Sequence, residues 1–194
     1  MFLARIREAT QEFHGKLEHD LDIFHTVTSL ERYTRLLQRF LGFHLPIEPL
    51  LLDVQNRYNL QLDVQQRSKS PLLLRDLREI GMQPWTAHTI PLCETLPDLT
   101  NPAQVWGCLY VLEGSTLGGA LISKHFKEGL GLTADHGCAF FSSYGSNVGS
   151  MWRMFTRTLE AYACGHHEED SIIDAACETF VILSQWLLKE IANS

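Results

Sequence analysis

A run of glycines inside an otherwise helical segment constrains the fold of this chain more than any other feature of its sequence. Residues 111–120 read Val-Leu-Glu-Gly-Ser-Thr-Leu-Gly-Gly-Ala and contain Gly114, Gly118 and Gly119. Asn101–Pro102 opens the segment as an N-cap followed by a first helical residue, and apolar residues recur at helical spacing on both sides of the glycines. Since a glycine in a helix interior costs roughly 1 kcal/mol relative to alanine, the run needs a reason of its own.

Three explanations compete for these glycines. Gly114 and Gly118 lie four residues apart and form a small face against which another helix can pack closely, and glycine pairs are also sites of helix kinks. Alternatively, a flat ligand lies against the bare backbone. A phosphate-binding loop is disfavoured, because the Gly-Lys-Ser/Thr ending of a P-loop is missing and no strand precedes the run. The segment alone leaves packing and a flat ligand open, and packing is the simpler of the two.

Size and charge exclude several classes of protein. With 194 residues, 45% of them hydrophobic, the chain suits one globular domain over residues 1–194. Its formal net charge of −7 and the lack of a basic stripe argue against a nucleic-acid partner. The longest apolar runs, such as 108–112, are too short to span a membrane. Arg5, Arg7 and Glu8 fall where a signal peptide needs an apolar core, so we expect a cytoplasmic protein.

Helical periodicity runs through nearly the whole chain. One apolar face of a first helix is marked by Ile6, Phe13, Leu17 and Leu21. Thr28 and Glu31 predict a capping box for a second helix, which Pro46 and Pro49 should bend or break near its end. The next predicted elements are a polar connector over 56–70, a short helix from Ser70–Pro71 to Gly81, and an irregular crossing over 82–100. After the glycine-bearing helix we expect a loop around 129–149 and closing helices over about 150–164 and 171–192. No alternating strand pattern is present, so the predicted fold class is all-α.

The first helix carries a line of polar residues that points to chemistry. Thr10, His14 and Glu18 are spaced four apart and therefore share one face of the helix. Phe13 and Leu17 flank that line with apolar bulk. The pattern is compatible with a metal-ligating histidine, and equally with a partly buried histidine whose ring is satisfied by Glu18.

Other groups of potential ligands are better explained as solvated or structural residues. The His-His-Glu-Glu-Asp segment over 166–170 lies between two helices, where Asp170 is a plausible N-cap. His19, Asp22 and His25 are most simply solvated, and no paired Glu-x-x-His motif for a di-iron site is present. The five cysteines are an odd number without a C-x-x-C pair, which fits reduced cytosolic thiols better than disulfides or a zinc site.

Taken together, the first helix and the glycine run resemble the heme oxygenase family. Residues 7–18 are similar to that family's first helix, with His14 at the position of the iron ligand. Residues 112–119 are similar to its distal helix, which lies across the opposite face of the heme. Residues 43–50 and 144–153 resemble the bacterial branch. The resemblance covers nearly the whole chain in the family's order.

This resemblance implies a single-domain, heme-oxygenase-like helical bundle with heme held between a proximal and a kinked distal helix. Imidazole is a good axial ligand for heme iron, so His14 is the implied metal ligand, and Glu18 would fix its other ring nitrogen. No histidine or cysteine lies within the distal run. The implied distal residues are therefore Gly114, Ser115, Gly118 and Gly119, which leave the sixth coordination position open to O₂ and bring bare backbone close to the heme.

The implied reaction is oxidative cleavage of heme to biliverdin, CO and ferrous iron, with heme as both substrate and cofactor and with an external electron donor. That donor would be a ferredoxin, a flavodoxin or a reductase, and a bilin-accepting photoreceptor is a further implied partner. The alternatives are a non-catalytic heme carrier or sensor, and a helical relative such as a thiamin-degrading hydrolase, which needs a nucleophilic cysteine.

The chain also departs from the family at two positions. Ser115 stands where some branches have an aspartate that helps to order distal water, and His44 is a candidate for that task here. Asn147 stands where close relatives often have a basic residue. We therefore expect Arg7 and Arg153 to bind the heme propionates, with Thr10 completing the heme-contacting residues of the first helix.

Overall fold

The computed structural model describes residues 1–83 and 89–189, and the regular structure of this part of the chain is helical. The exceptions are two isolated β-bridges in one turn, from Thr133 to His136 and to Gly137. The helices are α1 (Phe2–Leu21), α2 (Ile23–Thr26), α3 (Leu30–Tyr58), α4 (Ser70–Glu79), α5 (Pro102–Gly114), α6 (Gly119–Leu130), α7 (Ala139–Ser142), α8 (Val148–His166) and α9 (Glu169–Leu188), with 3₁₀ turns at Gln65–Arg67, Ser115–Gly118 and Gly145–Asn147. The predicted all-α fold is confirmed.

The core is built around α9, which packs extensively against α5 on one side and α1 on the other. Gly107 allows α5 to approach closely, because a Cβ there would lie only 2.5 Å from the carbonyl oxygen of Ile172. Two described stretches, Pro102–Leu130 and Glu169–Leu188, are long and apolar enough to cross a membrane, but 56% and 50% of their most apolar windows are buried inside the protein. Their composition is accounted for by their place in the core.

The glycine-bearing segment is a helix interrupted by one tighter turn. Its predicted start is confirmed, since Asn101 and Gln104 form a reciprocal capping box at the head of α5. The backbone then narrows from α to 3₁₀ geometry over Ser115–Gly118 and resumes as α6. The hydroxyls of Ser115 and Thr116 donate to backbone carbonyls three residues earlier, at 2.8 and 2.7 Å. A 3₁₀ turn inside a long helix is a common mark of a functional bend.

Of the predicted bend or break at the prolines of the second helix, the break does not occur. Pro46 and Pro49 both lie inside α3, which is continuous from Leu30 to Tyr58. A proline leaves the carbonyl four residues earlier without its helical partner. In this fold the carbonyl of Gly42 accepts instead from the backbone N–H of Cys93, at 2.9 Å. A residue distant in sequence thus replaces the hydrogen bond lost at Pro46.

Several predicted boundaries also need correction. The N-cap of α3 is Ser29, whose hydroxyl accepts from the backbone of Arg32, so Thr28 and Glu31 do not form the cap. Asp170 is not an N-cap, because α9 begins at Glu169. The loop around 129–149 contains α7 and a 3₁₀ turn. Within the predicted crossing over 82–100, residues 84–88 lie outside the described part of the chain, as do 190–192 of the last predicted helix.

Candidate functional site

Helix α1 and the α5–α6 segment meet at two points. The first is at Thr10, a buried residue whose side chain interacts with the Tyr110 hydroxyl of α5. Burial raises the pKa of Tyr110, while Thr10 and Arg7 oppose that shift. The second is just beyond α1, where Phe24 of α2 packs edge-to-face on His125 of α6 with ring centroids 5.1 Å apart. Since α1–α2 and α5–α6 each continue from the first contact to the second, we call the space between these two stretches the cleft and the stretches its walls.

His14 lies on the α1 wall between these two contacts. Its side chain is 52% exposed, and its ring packs edge-on against Phe180 of α9 with centroids 5.8 Å apart. Nε2 is 3.6 Å from a carboxylate oxygen of Glu18, which is too long for a hydrogen bond. His14 stands about 6 Å beyond the Thr10 contact along the helix axis, given the rise of an α-helix. An imidazole is thus presented to the cleft.

The opposite wall is apolar and partly bare. Leu117 and Leu121 are 48% and 63% exposed, and Gly118 between them has open space where a Cβ would lie. Ser115 is exposed, but its hydroxyl donates to the carbonyl of Leu112. Exposed leucines beside an open glycine form a surface suited to a flat apolar ligand.

The glycines of the run turn out to serve different purposes. At Gly119 a Cβ would collide with the carbonyl oxygen of Phe141, so the glycine permits α6 and α7 to touch. At Gly114 a Cβ would make an ordinary contact, 3.7 Å from the Trp152 ring. The expected packing face of Gly114 and Gly118 is therefore not used for close helix contact, and the position that is so used is Gly119.

A cavity of about 490 Å³ lies beside the first contact, between the start of α1, Tyr110 of α5 and α8. It is lined by Leu3, Ala4, Arg7, Glu8, Gln11, Tyr110, Trp152 and Thr156. Arg7 thus reaches this cavity with a positive charge. Arg153 is exposed on α8, and its guanidinium lies over Gly149. The structure places Arg153 next to the lining residue Trp152 but not in the lining itself.

Sequence reasoning missed a buried charged cluster beneath the glycine bend, as we call the 3₁₀ turn over Ser115–Gly118. Glu113 is 2% exposed and forms an ion pair with Arg67, which is equally buried. The hydroxyl of Tyr144 donates to both Glu113 carboxylate oxygens, at 2.8 and 3.1 Å. Lys69 lies 3.8 Å from the same carboxylate, and burial lowers the pKa of Lys69 to about 8. One signal was available in the sequence, since Glu113 follows the apolar run 108–112.

His44 and Glu48 continue this cluster on α3. Glu48 accepts from Ser68 and from the backbone N–H groups of Lys69 and Ser70, the last two at 2.6 and 3.0 Å. Burial raises the Glu48 pKa, but His44 and these donors outweigh it and bring the pKa down to about 2. His44 is buried, and a cavity of about 10 Å³, roughly the space of one water molecule, separates it from Glu113. His44 therefore lies behind the wall formed by the α5–α6 segment, which we call the distal wall, rather than on its surface.

The remaining polar clusters have structural partners. Arg5 forms ion pairs with Glu169 and Asp170, and Tyr162 donates to Glu168 at 2.7 Å. Asn147 precedes α8, where its carbonyl accepts from Ser150. Among residues 1–83 and 89–189, no group of three or more histidine, cysteine or acidic side chains is arranged to hold a metal ion.

These features agree with what the chain resembles as a whole. The family model described as heme oxygenase matches residues 1–189, and the chain belongs to the heme oxygenase family. A heme oxygenase from Xanthomonas campestris pv. campestris (strain 8004) is 37% identical over 97 residues, which are 50% of this chain and 53% of that protein. The aligned region thus spans about half the length of this relative.

Solved structures support the same fold. A heme oxygenase from Neisseria meningitidis, with NO and CO bound, superposes with a TM-score of 0.79 at 22% identity, covering 99% of this chain and 92% of that one. The Leptospira interrogans heme oxygenase gives 0.75 at 19% identity, covering 97% and 100%. Heme oxygenase-1 from the cyanobacterium Synechocystis sp. PCC6803, solved in complex with heme, gives 0.75 at 14% identity, covering 99% and 93%.

Proposed function

We propose that this protein is a heme oxygenase that cleaves heme to biliverdin and releases CO and ferrous iron. The observation that carries the proposal is that the half-exposed imidazole of His14 and the exposed leucines beside the bare Gly118 lie on two segments that touch at Thr10 and Tyr110 and again at Phe24 and His125. Heme, as substrate and prosthetic group, supplies the redox chemistry together with O₂ and electrons from an external donor. Residues 1–194 form one domain of this kind, in keeping with the family match over 1–189.

The residues of the cleft fit heme on both faces. Neutral imidazole is a common axial ligand of heme iron, and His14 offers it without a competing hydrogen bond to Glu18. Once the ring is turned toward the iron, Glu18 can accept a hydrogen bond from the other nitrogen and so fix its tautomer and its basicity. Leu117 and Leu121 present apolar surface to the macrocycle.

The propionate groups need positive charge, which an acidic protein must supply locally. Arg7 lies two turns before His14, about 10 Å along the axis, and lines the cavity beside the Tyr110 hydroxyl. We assign Arg7 to one propionate, with Thr10 holding Tyr110 in place. Arg153, which follows the lining residue Trp152 on α8, is assigned to the other propionate.

On the distal wall, the chain excludes a second strong ligand. Residues 111–122 contain neither histidine nor cysteine. Gly118 allows backbone to approach the substrate, and Gly114 and Ser115 complete this wall, while Gly119 keeps α6 seated on Phe141. His44 influences distal water only from behind the wall, through the cluster it shares with Glu48.

Two of the buried cysteines, Cys108 and Cys138, are unsuited to be the nucleophile that a hydrolase mechanism needs. The thiols of Cys108 and Cys138 are buried, and burial raises the pKa of each. A catalytic cysteine requires the opposite shift.

The proposed partners follow from the reaction. The electron donor is a ferredoxin, a flavodoxin or a reductase, and a photoreceptor that accepts a bilin is a further partner. We place the reaction in the cytoplasm, where such donors are reduced.

Mixing the purified protein with hemin, and then with a reductant in air, tests this function. We expect a Soret band that decays while the absorption of a bile pigment appears. A stable Soret band would identify a carrier or sensor instead, and the absence of any band would reject heme binding.

A further inference from the structure

The cluster under the glycine bend consists of charged side chains that are buried, which is unusual in a protein core. Glu113 and Arg67 have 2% of their side chains exposed, and Lys69 has 5%. Burying charges is costly, and replacing a buried ion pair by well-packed apolar residues is often neutral or stabilising. Stability alone therefore does not explain why a carboxylate is buried next to the end of the mostly apolar helix α5.

The position of Glu113 indicates what the carboxylate does. It is the last residue before Gly114, where the helix begins to narrow into the 3₁₀ turn. Gly114 and Gly118 have no side chains with which to hold the turn. At the far end of the turn, Gly119 is seated against the Phe141 carbonyl. The near end is held by Glu113.

The partners of Glu113 come from segments that are separate in sequence. Arg67 ends the 3₁₀ turn before α4, and Tyr144 precedes the 3₁₀ turn before α8. Lys69 braces Tyr144, because its ammonium lies 3.8 Å from the tyrosine ring centroid and 3.2 Å from the hydroxyl of Ser143. One carboxylate thus ties the end of α5 to two other parts of the fold.

We propose that Glu113, held by Arg67 and Tyr144, is a positioning residue. It fixes how far the backbone of the glycine bend lies from the opposite side of the cleft. The proposal rests on the proposed function only in its consequence for heme, because the anchoring of the bend is a property of the protein without ligand. Glu113 and Arg67 each have only 2% of the side chain exposed, so neither forms the surface of the cleft. Their effect passes through the backbone of Ser115–Gly118, whose distance from the heme decides how closely a distal ligand is confined.

Tyr144→Phe is the mildest test, because it removes the hydroxyl that donates to Glu113 and keeps the ring over Lys69. The matched control is Tyr162→Phe, which removes a hydroxyl that donates to the Glu168 carboxylate at 2.7 Å, at the far end of α8. Thermal melting first establishes that both variants fold. Glu113→Gln, which keeps the shape and removes the charge, is the second variant of the anchor.

Hydrogen exchange of the ligand-free protein gives the first readout. We expect Tyr144→Phe and Glu113→Gln to raise exchange at the amides of residues 115–119 at least threefold, and Tyr162→Phe to leave it unchanged. Equal exchange in Tyr144→Phe and Tyr162→Phe would overturn the proposal.

The hemin-loaded protein gives the second readout. We expect both anchor variants to keep hemin affinity within about twofold, because His14 is untouched, and to change the CO dissociation rate at least threefold. An unchanged CO dissociation rate would refute the effect on the heme. If the wild type bound no hemin while exchange still responded as expected, the proposed function would fail and the anchor would stand.

Discussion

At the scale of single residues, the imidazole of His14 is held on one side only. Phe180 packs against one edge of the ring, while 52% of the side chain remains exposed to the cleft. A histidine that served only to complete the core would be enclosed, as His44 is on α3. The exposed side of the His14 ring is accessible, as the proposed axial ligand must be.

We expect His14→Ala to abolish heme turnover and to leave the fold nearly as stable as before. The residue contributes little buried area and alanine favours helix, so the free energy of unfolding should change by about 1 kcal/mol or less. Added imidazole should partly restore the heme spectrum by occupying the space of the lost ring. Absorption spectra, turnover and thermal melts measure these effects.

His19→Ala is the matched control for this substitution. His19 is an exposed histidine on the same helix, five residues further along, and is therefore turned away from the face of His14. It should keep both spectrum and turnover. Normal turnover in His14→Ala would show that another residue binds the iron.

At the scale of elements, the distal segment contains two adjacent glycines that lack a side chain for opposite physical reasons. Gly118 has an ordinary helical backbone and open space beyond its Cα, so alanine there should stabilise the ligand-free protein by about 0.4–1 kcal/mol. Gly119→Ala drives a methyl group into the Phe141 carbonyl and should cost about 1–3 kcal/mol. Gly118→Leu should remain folded and should slow turnover by crowding the cleft.

Thermal melts of the ligand-free variants, with turnover assays on each, separate these effects. Equal destabilisation by Gly118→Leu and Gly119→Ala would mean that both glycines serve packing. We would then have no reason to infer that the distal wall presents bare backbone to the substrate.

The same segment shows what sequence reasoning could reach and where it stopped. The start of α5 was predictable, because Asn101 and Gln104 act on backbone groups within one turn. The different roles of Gly118 and Gly119 were not, since the difference is the carbonyl of Phe141, more than twenty residues away. The continuity of α3 through Pro46 likewise depends on a hydrogen bond from Cys93. Local signals predicted elements, and tertiary contacts decided their details.

At the scale of the whole molecule, Glu48 links two parts of the fold through its charge. Its carboxylate accepts from the backbone N–H groups of Lys69 and Ser70 at the start of α4 and from the hydroxyl of Ser68. Helix starts leave such N–H groups without partners. Lys69 lacks a side chain able to cap α4, so a residue of α3 performs the capping.

This link predicts how the fold responds to acid. His44, Ser68 and the Lys69 backbone lower the Glu48 pKa to about 2 from an ordinary value of 4.5. A lowered carboxyl pKa stabilises the fold fully above the unfolded value, and this contribution disappears as pH falls from about 4.5 to 2. With 1.36 kcal/mol per pKa unit, the contribution is about 3 kcal/mol at most. Glu48→Gln should therefore lower the free energy of unfolding at pH 7 and flatten its decline below pH 5.

Urea unfolding measured from pH 7 down to pH 3 gives the slope directly. Glu31→Gln is the control, because its carboxylate is exposed in a surface pair with Arg35 and such pairs contribute little. Lys69 changes the free energy of unfolding at alkaline pH instead. Its pKa of about 8 lies below the ordinary 10.5, so the unfolded chain binds more protons there and stability from this group rises between pH 8 and 10.5. If Glu48→Gln showed the acid slope of the wild type, the Glu48 pKa would be the same in the folded and the unfolded chain, and the capping of α4 from α3 would not depend on charge.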